Sequence, residues 1–383
     1  MPVEFIGMIG TNERSEIRNT AGPVIDRDYV RRFSRAHEDA GFDRVLIGYA
    51  SSQPDGTHVA AYAAAHTERL GFLIAHRPGF VAPTLAARTF ATLDQFTQGR
   101  IAVHVITGGS DAEQRHDGDY LSKDERYART DEYLDIVKLA WTTGERFSYE
   151  GAYYRVEDFL SQVKSPQQPR IKLYFGGSSQ AAYRVGGKHA DTYALWGEPL
   201  AETKQQVDSV NEAARNAGRE DLPGISVSFR PILGPTEDLA WDRAHRILEA
   251  TKENIEAFRG QWGLRSRPPG GDKPENVGSQ RLLAAAARGE LHDRALWTAP
   301  AAATGAGGNS TALVGTPETV AQALLDYVDL GVTTLLIRGY DPYDDAIDYG
   351  RYVLPLVRDE VAKRDAERAA AGKVAAGATE VPA

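Results

Sequence analysis

The sequence predicts an α/β protein of the (β/α)8, or TIM barrel, class. Short β-like runs recur along the 383-residue chain, and segments with helical spacing lie between most of them. The runs are continuously apolar rather than alternating, as is typical of parallel strands covered on both faces. They cover residues 3–9, 44–49, 70–76, 100–108, 171–176, 191–197, 225–232 and 333–340. An open doubly wound sheet is the competing architecture.

Local signals agree with this alternation of strands and helices. Glycines stand where four helical segments should stop, which is typical of helix ends that lead back into a strand: Gly41, Gly99, Gly218 and Gly331. In the stretch "GTPETVAQ", Thr316 is placed to cap the start of the last helix before the eighth strand.

Two insertions interrupt the repeat within one predicted domain over residues 1–360. Residues 141–170 contain "FSYEGAYYRVED", which predicts a small hairpin. Residues 251–310 contain the polar, Pro/Gly-rich "RGQWGLRSRPPGGDKPENVGSQ" and are predicted to form a mobile lid loop. Residues 361–383 have little to bury and are expected to form a flexible tail.

Composition excludes several classes of function. Hydrophobic residues make up 42% and charged residues 25%, no run is long enough for a membrane helix, and no secretion signal begins the chain. We therefore expect a cytoplasmic protein. The absence of cysteine excludes disulfides and thiolate chemistry. A net charge of −9 argues against nucleic acid, and an anionic substrate would need locally concentrated arginine.

Polar residues cluster just past the predicted strand ends. In a closed barrel these positions form one ring, where active sites of this fold lie. His76 and Arg77 suggest a clamp for an anionic or polar substrate. The other residues of this ring are Tyr49, Ser51, Ser52, Gln53, Thr107, Gly108, Gly109, Trp196, Arg230, Arg338, Tyr340 and those of the turn 176–179.

The turn in "KLYFGGSS" is a candidate anion site. Gly176 and Gly177 let a ligand approach the backbone, and Ser178 and Ser179 precede a helix N-terminus that could hold phosphate. A serine-capped structural turn is the alternative. The sequence contains no Walker motif and no GxGxxG.

Two further sets of residues carry groups that could bind a ligand. Lys123 and Tyr127 lie one helical turn apart and share a face, although an exposed charged face explains them equally well. His104, inside the fourth strand, is expected to be a core histidine. The histidines show no metal-ligand spacing, so no metal site is predicted.

Six motifs in order together resemble the bacterial luciferase-like flavin monooxygenases, most closely the alkanesulfonate monooxygenase branch. The resemblance spans roughly residues 3–360 and rests on "AARTFATLDQFTQGR", "ITGGSDAE", "DERYARTDEY", "QQPRIKLYFGGSSQAA", "ALWGEP" and "TALVGTPETVA". It implies a barrel that binds reduced FMN (FMNH2) from a separate NAD(P)H-dependent FMN reductase and uses O2. It also implies a homodimer or homotetramer.

By matched position the resemblance assigns roles to individual residues. Thr107, Tyr127, Ser178 and Ser179 would hold flavin, and Lys123 stands where relatives have histidine. Tyr340 matches a tyrosine of the catalytic centre. The substrate half departs from the sulfonate enzymes at several positions: Arg230 for histidine, Ser228 for arginine, Gln53 for cysteine, Ala306 for arginine and Pro342 for histidine.

These departures lead to a hypothesis about the substrate. Arg77, Arg230 and Arg338 could grip an oxyanion, while neutral hydrogen-bonding groups, including Asn309, suit a hydroxylated molecule. We therefore expect desulfonation of a polar organosulfonate, for example sulfoquinovose, to a carbonyl product and sulfite. The catalytic set would be Arg230, Tyr340, Trp196 and Gln53. The alternatives are oxygenation of a sulfone, amine or heterocycle, deazaflavin-dependent hydride transfer, and a non-catalytic flavin-binding barrel.

Overall fold

Eight parallel strands close into a barrel in the computed structural model, which describes residues 2–18, 22–261, 274–308 and 310–377. In barrel order they are β1 (Glu4–Ile9), β2 (Arg44–Ile47), β3 (Gly71–His76), β4 (Ile101–Val105), β7 (Lys172–Gly176), β8 (Thr192–Trp196), β9 (Gly224–Leu233) and β13 (Val332–Ile337). Each pairs in parallel with the next, and β13 pairs back onto β1. The predicted barrel and its eight strands are confirmed.

Helices connect the strands around the outside of the barrel. They are α1 (Arg27–Asp39), α2 (Gly56–Ala64), α3 (Pro83–Phe96), α4 (Asp111–His116), α5 (Lys123–Thr142), α6 (Gln180–His189), α7 (Leu200–Asn216), α8 (Glu237–Gln261), α9 (Val277–Arg288), α10 (Ala299–Thr304), α11 (Pro317–Val328), α12 (Pro342–Tyr352) and α13 (Leu354–Gly377). Thr316 accepts a hydrogen bond from the amide of Thr319, which confirms the predicted cap. The four glycines predicted to end helices all have positive φ.

Additional strands lie outside the barrel. β5 (Phe147–Glu150) and β6 (Arg155–Phe159) form the antiparallel hairpin expected within residues 141–170. β12 (Ala312–Gly315) pairs in parallel with the end of β9. β11 (Leu296–Trp297) pairs antiparallel with β12, and β10 (Leu291–His292) pairs antiparallel with β11. This small sheet, which the sequence did not predict, extends the barrel wall beside β9.

The segment 251–310 is not the loop that its composition suggested. Residues 251–261 complete α8, and 274–308 form α9, β10, β11 and α10, while 262–273 and Asn309 lie outside the described residues. Apolar contacts explain this structure, because Trp196 packs with buried residues of α9 and of the α10 region: Leu282, Ala301 and Ala306. Residues 361–377, which the sequence predicts to be a flexible tail, continue α13.

Two apolar layers surround the barrel wall. The larger lies between the outward strand faces and the helices, and a small cluster fills the barrel interior: Ile6, Leu46, Leu73, Ala102, Tyr174 and Leu336. Below this cluster, Glu4 accepts hydrogen bonds from Arg44 at 2.7 Å and from the Tyr174 hydroxyl at 2.8 Å. The interior is therefore closed below, and open space is confined to the other end. No helix of the described chain is long and apolar enough to cross a membrane.

Replacing Gly186 with alanine tests how closely α6 lies on the barrel. A Cβ there would come within 2.4 Å of the Tyr193 ring and 2.6 Å of the Phe175 ring. Overpacking of this kind costs about 1–3 kcal/mol, so we expect Gly186→Ala to lower the midpoint of thermal unfolding. In Gly144→Ala the new Cβ meets no atom within 4 Å, and this control should unfold like the wild type. Equal midpoints for all three proteins would contradict the close packing.

Candidate active site

The mouth of the barrel, where the carboxyl ends of the strands lie, has an inward layer with small side chains. Alternate residues of a strand face the same way, so the positions two beyond the interior cluster also point inward. They are Met8, Gly48, Ala75, His104, Gly176 and Arg338. Three of these side chains are no larger than a methyl group, so they leave space in the mouth beyond the apolar cluster of the barrel interior.

His104 faces this mouth and has an unusual environment. Its Nδ1 atom is buried without a hydrogen-bond partner, and burial lowers the pKa of the ring to about 4. The ring is therefore neutral at pH 7. Its Cε1 atom lies 3.3 Å from the place a Cβ on Gly176 would take. The expectation of an ordinary core histidine is wrong, because the ring lines the open end of the barrel.

The phosphate turn, residues 176–179, joins β7 to α6 beside this ring. Gly177 has φ +140°, and a Cβ there would lie 2.7 Å from Ala182 Cβ and 3.0 Å from the Tyr127 hydroxyl. The Tyr193 hydroxyl donates to the Gly177 carbonyl at 2.8 Å and fixes the turn. Ser179 Oγ accepts from the Ala182 amide, so the amides at the start of α6 face the turn as an anion site would require.

The neighbouring strand end brings the other predicted cofactor residues to the same place. β4 pairs with β7, and Thr107 follows β4 while α5 begins at Lys123. Buried Arg126 donates to the Thr107 carbonyl at 3.0 Å and to Asp111 at 2.7 Å, which fixes the loop between them. Burial and the charge of Arg126 lower the pKa of Lys123. The structure thus brings all seven predicted cofactor residues to one edge of the mouth.

These residues fit an FMN phosphate. Gly177 accepts no Cβ, a helix of ten residues starts at the turn, and a lysine and a tyrosine hydroxyl stand on the facing helix. Residues 176–179, with Thr107, Lys123 and Tyr127, would hold the cofactor.

A second polar cluster lies at the ends of β9 and β13. Arg230 is 2% exposed, and its guanidinium lies 3.7 Å from the centre of the Tyr340 ring. Arg338 is nearby, and Glu16 bridges the two guanidinium groups at 2.7 and 2.5 Å. Burial alone would raise the pKa of Glu16, but the charges of Arg230 and Arg338 hold it well below its usual value. Glu16 was missed in the sequence because nothing marks it within its loop.

Arg77 is not a free anion clamp. It is 4% exposed, and its Nη2 atom donates to both carboxylate oxygens of Glu113 at 2.8 and 2.7 Å. Its guanidinium also lies 4.6 Å from the Tyr49 ring centre. The expected grip of three arginines is therefore wrong for Arg77, whose charge Glu113 already balances.

His76 does not reach the mouth. Its ring points to the outer layer, where Nε2 lies 2.7 Å from the Tyr133 hydroxyl and the ring packs edge-on against Phe90 at 5.1 Å. Burial lowers its pKa to about 4. The predicted substrate contact is therefore wrong, because alternation along β3 sends His76 outward and Arg77 inward.

The remaining predicted residues lie around the mouth. Trp196 and Ser228 are partners in the β8–β9 register, and Ser228 Oγ donates to the Leu195 carbonyl at 3.4 Å. Gln53 is exposed at the edge of a cavity of about 200 Å³ that Arg338 also lines.

Residues 274–308, here called the cover, lie over the mouth. A Cβ on Gly278 would come within 2.8 Å of Trp196, and Arg281 forms a bidentate ion pair with buried Glu198 at 2.6–3.0 Å. At the cofactor side, Glu275 accepts from the Asp111 amide at 3.0 Å, and its carbonyl accepts from Lys123 at 3.4 Å. The cover thus contacts the ends of both β4 and β8.

The closed parallel barrel, with polar residues gathered at its mouth, defines a TIM-barrel protein, and comparison with known families gives the class. Residues 4–334 match the luciferase-like monooxygenase family. The chain belongs to this family.

Three solved structures illustrate the shared fold. A riboflavin lyase (RcaE) with modified FMN and riboflavin is 22% identical, with TM-score 0.77 over 94% of this chain and 92% of that one. EDTA monooxygenase (EmoA) from Chelativorans sp. BNC1 is 17% identical, with TM-score 0.74 over 94% of each chain. DmoA from Hyphomicrobium sulfonivorans is 20% identical, with TM-score 0.75 over 94% and 89%. At these identities the similarity shows the fold.

The Tyr127→Phe variant tests the cofactor site. Loss of one hydroxyl hydrogen bond weakens binding by about 1 kcal/mol, so we expect the FMN dissociation constant to rise about fivefold. Tyr120→Phe is a matched control, because this nearby tyrosine is 78% exposed. Titration of flavin fluorescence measures both. Equal affinities in the two variants and the wild type would place the phosphate elsewhere.

Proposed function

We propose that this protein is the FMNH2-dependent oxygenating component of a two-component system and that it desulfonates an organosulfonate. One observation carries the proposal: the phosphate turn and the Arg230–Arg338 pair lie at separate positions around one barrel mouth. The turn follows β7, which stands two strands from β9 and three from β13 in the closed order of eight. Membership of the luciferase-like monooxygenase family supports the oxygenase part of the proposal.

The reaction balances with one O2 and one FMNH2 per turnover. When bound, reduced FMN supplies two electrons for the reduction of O2, and the oxygen chemistry is that of the cofactor. One oxygen atom enters the substrate and the other leaves as water. A sulfonate R–CH2–SO3⁻ thus gives an aldehyde, sulfite, water, oxidised FMN and a proton. The protein binds and orients the reactants and limits the access of water.

The charges at the substrate side favour a monoanion. Arg230 and Arg338 together carry two positive charges, and Glu16 balances one of them. Guanidinium groups can hold planar or tetrahedral oxyanions through paired hydrogen bonds. The pair thus already holds one monoanionic group, and a sulfonate carries the same single charge. Arg77 contributes no charge to the site because it is paired with Glu113.

Neutral polar groups near the pair suit a hydroxylated substrate. Gln53 lies at the edge of the cavity lined by Arg338, and Ser228 lies at the strand end beside Trp196. Such groups fix orientation through hydrogen bonds. A sugar sulfonate such as sulfoquinovose combines one anionic group with several hydroxyls and is our specific candidate.

The proposed reaction consumes reduced flavin and therefore requires a partner. Because each turnover oxidises one FMNH2, we propose that a separate NAD(P)H-dependent FMN reductase supplies it. A homodimer or homotetramer remains our expectation, which light scattering would measure directly.

Sulfite release tests the function. The purified protein is mixed anaerobically with FMNH2, then with O2 and a panel of alkyl and sugar sulfonates, and sulfite and aldehyde are quantified. We expect equal amounts of both, with sugar sulfonates preferred. Turnover of only a neutral substrate would reject desulfonation, and tight binding of a deazaflavin without binding of FMN would favour hydride transfer.

Replacing Arg230 with lysine tests whether the substrate and the flavin bind to separate parts of the mouth. Lysine keeps the charge but loses the planar fork, so we expect at least a tenfold higher KM for the sulfonate and an unchanged FMN dissociation constant. Arg170→Lys is the control, because Arg170 makes a similar bidentate pair with Asp191 at the start of β7. Equal loss of flavin and substrate binding in Arg230→Lys would show that the two halves are not separate.

A further inference from the structure

Glu16 lies where a substrate anion would be expected. It belongs to the loop between β1 and α1, of which residues 10–18 and 22–26 are described. One carboxylate oxygen accepts from Arg230 Nη1 at 2.7 Å and from Arg338 Nη2 at 2.5 Å, and the other accepts from Arg230 Nη2 at 2.8 Å. The loop thus places its own anion between the two guanidinium groups.

This carboxylate leaves the site incompletely satisfied. Arg230 is almost fully buried, yet its Nε atom has no hydrogen-bond partner. Two cations also share a single carboxylate, and buried charges are costly unless they are paired and hydrogen-bonded. A sulfonate has three oxygens and offers more acceptors than the carboxylate that it would replace.

The contacts that hold Glu16 are of a kind that can be exchanged. Its side chain is 31% exposed, unlike that of Arg230. The same loop is held at Arg18, which pairs at the surface with Asp341 at 2.6 Å, and at the Glu16 carbonyl, which accepts from Asn254 at 3.0 Å. Neither of these contacts involves the Glu16 carboxylate, so the loop keeps both of them when the carboxylate leaves the guanidinium groups.

We propose that Glu16 is an internal competitor for the substrate's anionic group. Without substrate, its carboxylate occupies the position between Arg230 and Arg338. A bound sulfonate takes that position, and Glu16 turns toward solvent. This inference rests on the proposed function in one respect: it takes the anion that binds the two arginines to be the substrate.

The competition gives the mouth a means of selection. A neutral molecule of the same shape gains nothing from the arginines, so it cannot displace the carboxylate. An anion must break the contacts of Glu16 with the two arginines, and it then forms its own hydrogen bonds with both guanidinium groups. Affinity for anions is therefore lower than the arginines alone would give, while discrimination against neutral compounds is kept.

Anion binding without turnover tests the proposal. Methanesulfonate is titrated calorimetrically, in a chloride-free zwitterionic buffer, into the wild type, Glu16→Gln and Glu13→Gln. Glu13 is an exposed carboxylate of the same loop and serves as the matched control. We expect at least tenfold tighter binding to Glu16→Gln, unchanged binding to Glu13→Gln, and no such gain for neutral methanesulfonamide. Equal or weaker binding to Glu16→Gln would overturn the inference.

A second measurement uses only the wild type, in case Glu16→Gln folds poorly. Hydrogen–deuterium exchange of residues 10–18 should increase when methanesulfonate saturates the protein, because the loop loses its side-chain anchor. Unchanged or slower exchange at saturation would mean that Glu16 stays in place and would overturn the proposal.

The two proposals fail separately. The binding assay needs neither flavin nor O2, so tighter anion binding to Glu16→Gln without sulfite release would support the role of Glu16 and reject desulfonation. Sulfite release with unchanged anion binding would reject the role of Glu16 and leave the proposed function intact.

Discussion

The candidate site depends on one constraint: all eight barrel strands run parallel and close, so their carboxyl ends meet on one side. The pairing of β13 with β1 completes the ring and brings residues more than 300 positions apart into neighbouring strand ends. Below that ring, the apolar cluster and the Glu4–Arg44 pair fill the interior. Only the carboxyl end is left open, and the small inward residues there leave space for a ligand.

Charge pairing then divides the mouth into two chemically different halves. At the ends of β4 and β7, backbone N–H groups, side-chain hydroxyls and Lys123 offer hydrogen-bond donors to an anion. The phosphate turn itself contains no charged side chain. At β9 and β13, fully buried Arg230 must have a carboxylate partner because an uncompensated charge is costly there. The first half suits a phosphate that is held by shape, and the second suits an anion that exchanges with a protein carboxylate.

Much of the fold could be predicted because its signals are local. Apolar runs, helix-ending glycines and the Thr316 cap each depend on a few adjacent residues, and all were confirmed. The strand-end position of the cofactor residues followed from the fold. The partners of the arginines could not be predicted, since Glu16 lies 214 residues from Arg230 in sequence.

Other differences arose where local composition conflicts with tertiary contacts. Helices α9 and α10 are stabilised because Leu282 and Ala301 find an apolar partner in Trp196, and the polar average composition of 251–310 does not reveal this contact. Successive side chains of a strand point to opposite faces, so whether His76 or Arg77 faces the barrel interior depends on which residues of β3 point inward. Sequence alone does not define that register.

The burial of the arginine pair has a consequence for the way an anion reaches it. The chain carries a net charge of −9, so an approaching anion is repelled at long range and attracted only once it is inside the mouth. Salt screens the first effect over about 8 Å at physiological ionic strength, and it screens the second much less because that pair is buried. Added salt should therefore quicken the arrival of an anionic ligand, the reverse of the usual behaviour of a basic binding surface.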